Sequence, residues 1–267
     1  MGKRVVFRVG VIGGVFFPML VLLVMLGRGA KSQATPHDDV QNSADQLVSQ
    51  GRQMFRFDTF GDQAFWGGML GLHQAIEGAA LGGVGPGVSP LTALAVGLKV
   101  DLDALPDNLV QQIKHGQVNL NDPAVTVALL KLNAVVGVTG IFNSSGTLQS
   151  VGIQCAFCHS TVDNFLAACP SSLQPNPGTG CIGHRLDGWP NRDLNVGAII
   201  ALAPNLQPVV DLLQTVHPDI TQADVRAVLN TWGPGKFDAE LFLDGNAANQ
   251  LSSRSGPRPP LPDLTDR

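Results

Sequence analysis

Charged residues are few in this chain of 267, at 14%, and the formal net charge is only −4. Basic residues are fewer still once the first 34 positions are set aside. Those positions hold Lys3, Arg4, Arg8, Arg28 and Lys31 and no acid, leaving residues 35–267 with 12 basic against 21 acidic side chains, a net −9. A body of that sign repels phosphate backbones, which argues against nucleic acid as a partner. No internal repeat is found, which excludes a repeat architecture. A phosphate-gripping loop is missing too: the glycines between Leu81 and Pro90 alternate instead of following a nucleotide-binding spacing, and no strand clearly precedes them. What is plentiful is apolar surface. At 44% apolar residues the chain can bury a real core, which excludes wholesale disorder, and its length allows one large domain or two modest ones.

The N-terminus, residues 1–34, has the three parts of an export signal: Lys3, Arg4 and Arg8, an apolar run from Val9 to Leu26, and the small-residue site Ser32-Gln33-Ala34. The run of 18 residues is long for a signal and just long enough to span a bilayer. The segment therefore reads as a cleaved signal peptide, or, less favoured, as a retained membrane anchor. Either way the basic residues stay cytoplasmic and the body lies outside, in an oxidising, periplasmic or other extracytoplasmic compartment.

After a polar linker (residues 35–43), Ala44 to Arg56 has helical periodicity, with Leu47, Val48, Met54 and Phe55 near one face. An aromatic-rich stretch follows with Phe57, Phe60, Phe65 and Trp66. Ser89-Pro90 forms an N-cap and first-turn pair for a helix over Leu91–Gly97. Pro106–His115, and Pro123 to about Leu132, read as two further helices. Ala134–Asn143 and Thr147–Gln154 read as the arms of a β-hairpin. Thr221–Trp232 reads as a helix opened by Thr221 and Asp224. The tail, residues 246–267, turns polar and proline-rich and reads as disordered.

Cys155-Ala156-Phe157-Cys158-His159 is the line that carries chemistry. Two thiols three positions apart can each add to a vinyl group of one haem, and the adjacent histidine can then bind the iron from the proximal side. Covalent anchoring suits an exported protein, which would otherwise lose its cofactor by dilution. Three rivals share these residues. Disulfide exchange needs a thioredoxin-like βαβ context that is not seen. A zinc site could draw on Cys155, Cys158, Cys181 and His184, but unprotected thiolates suit an oxidising compartment poorly. A structural Cys155–Cys158 disulfide would be tight and strained. With one covalent haem c assigned to Cys155 and Cys158, Cys169 and Cys181 remain to pair across a Pro/Gly-rich loop. That bridge would close 13 residues, worth about 3 kcal/mol in the chain-entropy account.

With these motifs the chain resembles a class I c-type cytochrome: Gly51-Arg-Gln-Met-Phe55 is similar to that family's N-terminal helix and Ala223–Trp232 to its C-terminal one. More specifically, Phe57–Trp66, Gly82–Pro90 and Arg185–Asn195 resemble the N-terminal half of larger bacterial proteins that carry a second cytochrome domain. The resemblance covers residues 44–245. It implies a mainly α-helical, cytochrome c-like domain around one haem, with residues 57–150 as a large insertion, 151–245 as the haem-binding core, and the small hairpin as an addition. The departure from the family is that 98 residues separate Arg56 from Cys155, where the family's motif follows closely, and only one haem motif is present.

Every methionine (Met1, Met19, Met25, Met54, Met69) precedes the motif, so the family's usual downstream methionine ligand is not available. His73, where the resembling proteins share a histidine, is the preferred distal ligand. His217 is the alternative, and His184, His115, Met69 and Met54 are weaker candidates. Phe157, Phe60, Phe65 and Trp66 are candidates for the haem pocket wall, and Arg185, Trp189 and Arg192 for the propionate partners. The function these residues point to is electron transfer with redox partner proteins, membrane-bound ones among them. The competitor is a haem enzyme or sensor of peroxide or a diatomic gas with an open distal site, so catalysis is left undecided.

Overall fold

In a computed structural model, residues 36–169, 180–215 and 217–235 are described. The chain divides into two compact units, Met1–Ser49 and Gln50–Arg267. The first helix, α1 (Pro36–Phe57), runs from one into the other. It begins at Pro36, so positions 36–43, read above as linker, are its first turns. Proline is well placed there, because a helix's first N–H groups have no intrahelical partner. The export segment and the tail beyond residue 235 lie outside the described residues.

The remaining helices are short: α2 (Leu72–Glu77), α3 (Pro90–Ala95), α4 (Asp107–Lys114), α5 (Pro123–Lys131), α6 (Ala156–His159), α7 (Val196–Ala201), α8 (Gln207–Leu213) and α9 (Gln222–Leu229). Their starts follow the capping chemistry in the sequence. Ser89 accepts from the Thr92 N–H and Asp122 from the Ala124 N–H, each ahead of a first-turn proline. Thr221 and Asp224 form a reciprocal capping box.

Seven strands interleave with these helices among the described residues. β2 (Val138–Phe142) and β3 (Leu148–Ile153) form the expected antiparallel hairpin. Asn143 closes its turn by accepting from the N–H groups of Ser145 and Thr147. β4 (Ser160–Val162) pairs antiparallel with β7 (Arg185–Asp187). A third small sheet takes β6 (Gly180–Gly183) in the centre, parallel to β1 (Val100–Asp101) and antiparallel to β5 (Ala167–Ala168).

Among the described residues the fold is thus mixed α/β, with 46% helix and 14% strand, and not the mainly α-helical cytochrome c-like domain the resemblance implied. The reason is visible at the motif itself. Ser160-Thr161-Val162, with two β-branched residues, turns extended immediately after His159, so the helix carrying the motif is only four residues long. Residues 57–150 also behave differently from an appended insertion. One buried cluster draws Leu70, Leu94, Leu130 and Leu148 from that side and Phe157, Ile200, Val210 and Leu229 from the other. Both stretches build the same core, and the motif sits between β3 and β4 on its surface.

Candidate functional site

Cys155 to His159 occupy a single helical turn. Its start is fixed by the hairpin: the Gln154 N–H donates to Gly137 O (3.0 Å) and the Phe157 N–H to Gln154 O (2.9 Å). Its end is fixed by the segment after β7, where the Gly188 N–H donates to His159 O (2.8 Å) and the Asn191 N–H to Cys158 O (2.9 Å). Asn191, itself buried, spans to the other wall through its side chain, which donates to Gly97 O (2.9 Å). Phe157 points the turn into the core, 5% exposed, while Cys155 and His159 face solvent and Cys158 lies between. The turn therefore presents two thiols and an imidazole on its outer side with an aromatic anchor on its inner side.

Cys155 and Cys158 are free thiols, whereas Cys169 and Cys181 are joined in the expected disulfide. Cys181 is therefore spent, and the four-ligand zinc set with Cys155, Cys158 and His184 is broken. Among the described residues no group of three or more His, Cys, Asp or Glu side chains is gathered for a metal ion. His184 instead shares a contact between its Nδ1 and Asp103 Oδ1 (2.8 Å), with the Phe165 ring against it at 4.8 Å.

Burial pushes the Cys158 thiol up to about 11, with the neighbouring Cys155 adding to the effect. Thiol exchange works through the thiolate, so Cys158 is a poor attacking thiol near neutral pH. Cys158 should accordingly react with iodoacetamide about 100-fold more slowly than a thiol of ordinary acidity at pH 8, following its smaller thiolate fraction. Its rate should climb about tenfold per pH unit until the pH passes 11. Mass spectrometry of the alkylated protein reads this directly; equal rates at Cys155 and Cys158 would contradict the buried placement.

The candidate propionate partners separate. The Arg185 side chain is 1% exposed, with Nε 2.9 Å from Asp101 Oδ2 and its guanidinium over the Phe57 ring at 5.7 Å. Its Nη1 is buried without a hydrogen-bond partner, an unmet donor. Beside it, Asp187 takes Arg56 through Nη2 (2.6 Å) and Nε (2.7 Å), and the Ser160 hydroxyl donates to its other oxygen (2.8 Å). Trp189 and Arg192 are both exposed, Trp189 at 64%. The aromatic stretch rides on the hairpin: Ser150 donates to Gln63 O (2.8 Å), and Asp62 accepts from both the Ile153 N–H (3.1 Å) and the Trp66 indole (3.0 Å). Phe65 and Trp66 pack edge to face with centroids 5.1 Å apart, while Phe60 is exposed.

His73 lies on α2, which packs against β3. Its Nδ1 is buried and has no partner, and burial holds the imidazole below the usual histidine range against the opposing effects of Glu77 and the Gly67 carbonyl. The other distal candidates are on the surface. His217 follows α8, with its N–H on Leu213 O (2.8 Å), His115 caps α4, and Met54 and Met69 are 52% and 53% exposed. Among the described residues no hydrogen bond or ion pair joins His73 or His217 to the Cys155–His159 turn. Asn191, the Arg56–Asp187–Ser160 set and the Asp101–Arg185 pair were not legible in the sequence, because each joins distant segments with no spacing signature.

No protein-family model, no curated protein and no solved structure matches this chain.

Proposed function

We propose that the chain is an exported, single-haem c-type cytochrome that carries electrons between redox partner proteins, built on a mixed α/β scaffold. The observation that carries this reading is the Cys155–His159 turn: two unpaired thiols and a solvent-facing imidazole on one helical turn, in a protein whose other two cysteines are bridged. These residues suit a haem better than any rival. Cys155 and Cys158 would hold it by thioethers and His159 would be its proximal axial ligand. When bound, haem supplies a one-electron couple of its iron.

The chain's own residues do the rest. Phe157, packed into the core, and the hydrogen bonds from Gly188 and Asn191 hold the turn rigid, so the anchoring atoms need no reordering. Arg185, with its spare buried Nη1, suits one carboxylate, and Trp189 and Arg192 stand exposed on the segment that closes the turn. His73 is the distal ligand of choice, with His217 as the alternative, because its buried Nδ1 has no partner and burial favours the neutral, ligating imidazole. The Cys169–Cys181 bridge supports an oxidising, extracytoplasmic location. No helix among the described residues is long and apolar enough to cross a membrane.

The test is a pyridine haemochrome spectrum of the full chain produced in a host that attaches haem c, beside His73→Ala and a Cys155→Ser/Cys158→Ser double variant. The expected result is one thioether-linked haem, low-spin in the wild type, high-spin in His73→Ala and lost in the double variant. Haem that is high-spin from the outset would overturn the carrier reading in favour of ligand binding. A wild-type protein without covalent haem would overturn both.

A further inference from the structure

The core behind the motif turn is not filled. An apolar void of about 40 Å³ lies among Leu72 and Ile76 of α2, Leu130 of α5, Val138 and Ile153 of the hairpin, and Phe157 of α6. A smaller space of about 20 Å³ adjoins it and shares Ala93, Leu98, Thr126 and Val135 as walls. Thr126 belongs to both, 5% exposed, and its hydroxyl has no hydrogen-bond partner. Close-packed interiors seldom leave such room, and a water-sized molecule needs about 10–15 Å³ of it.

Size alone would admit water, but chemistry argues otherwise. A buried water needs two to four polar partners, and apart from Thr126 every side chain lining the larger void is apolar. Voids of that character stay dry and take up apolar guests. The guest must be small enough for the space and lose little by leaving water, which describes a diatomic or monatomic gas. Of the lining residues Leu202 is 37% exposed, while Leu72, Leu130, Val138 and Phe157 are buried.

We propose that this void is a binding site for small apolar gas molecules such as dioxygen, with Phe157 of the motif turn as one of its walls. The site is defined by the protein core and stands whether or not a haem is carried on the turn. A gas held there lies against Phe157, which falls between Cys155 and Cys158 in the chain.

Methyl-labelled full-length protein under xenon pressure tests it, with xenon as the probe and dioxygen as the second arm. Saturable xenon shifts are expected at the methyls of Leu72, Ile76, Leu130, Val138 and Leu202, and not at Val225 or Leu229. Val138→Ile, which fills the space, should weaken xenon affinity at least threefold, and Leu130→Ala, which enlarges it, should strengthen it. Dioxygen should relax the same methyls more than it relaxes those of Val225 and Leu229. Xenon shifts that do not saturate, or that survive Val138→Ile unchanged in a natively folded variant, would overturn the site. Relaxation by dioxygen equal at all buried methyls would overturn its assignment to that gas.

Discussion

Lys99→Ala is expected to destabilise the protein by about 3–5 kcal/mol, read as a shift of the urea midpoint in oxidising buffer. Lys99 is 1% exposed and its Nζ lies 2.6 Å from Asp193 Oδ2, which is 2% exposed. Burial drives the ammonium below its ordinary range, and Asp193 holds it up. The pair ties two walls of the site together, because Asp193 stands two residues after Asn191, which holds Cys158 O, and Lys99 O accepts from the Val136 N–H (3.0 Å) beside Gly137. Truncating Lys99 removes the counter-charge of a carboxylate deep in the protein, and that loss outweighs the packing of the missing side chain. A Lys99→Met/Asp193→Leu double variant should therefore be less destabilised than Lys99→Ala, since an apolar pair of similar volume leaves no buried charge. A double variant as costly as its two single changes summed would mean that the residues act independently.

What could be read from the sequence divides along a physical line. The caps were legible because they are local: Ser89, Asp122 and Thr221 satisfy N–H groups two or three residues away. So was the hairpin, whose two arms flank Ser144-Ser145-Gly146. The Cys169–Cys181 bridge followed from which thiols were left. The fold class did not follow, because it depends on pairings between distant segments. Ser160–Val162 becomes a strand only by meeting Arg185–Asp187, and Val100–Asp101 only by meeting Ile182–Gly183. A resemblance carried by helices at either end of the chain could not reveal strands made between them. Arg185 shows the same limit in one side chain. Its type suggested an anion partner, and no spacing in the chain showed that Asp101 would lie 2.9 Å from its Nε.

Gly137→Ala is expected to cost more than about 3 kcal/mol and, on the haem-carrying reading proposed above, to reduce covalent haem loading in the same preparation. Two effects combine. Gly137 has φ +80, a left-handed conformation that costs a non-glycine residue about 1–2 kcal/mol. In addition a methyl group there would fall on the backbone of Phe157, overlapping its N and Cα atoms, and would lie 2.7 Å from its Cβ. Backbone cannot swing aside as a flexible side chain can, so either the hairpin or the Cys155–His159 turn must shift. Movement at that point also strains the Gln154 N–H bond to Gly137 O, which sets the start of the turn. Gly61→Ala separates the two effects. Gly61 has a similar φ of +85 with nothing within 4 Å of the added methyl, so it should lose only the conformational part and load haem normally. The difference between the two variants in urea midpoint and in haem per protein then measures how closely the turn is pressed against the hairpin. Equal stability and equal loading would show that the contact between Gly137 and Phe157 does not position the site.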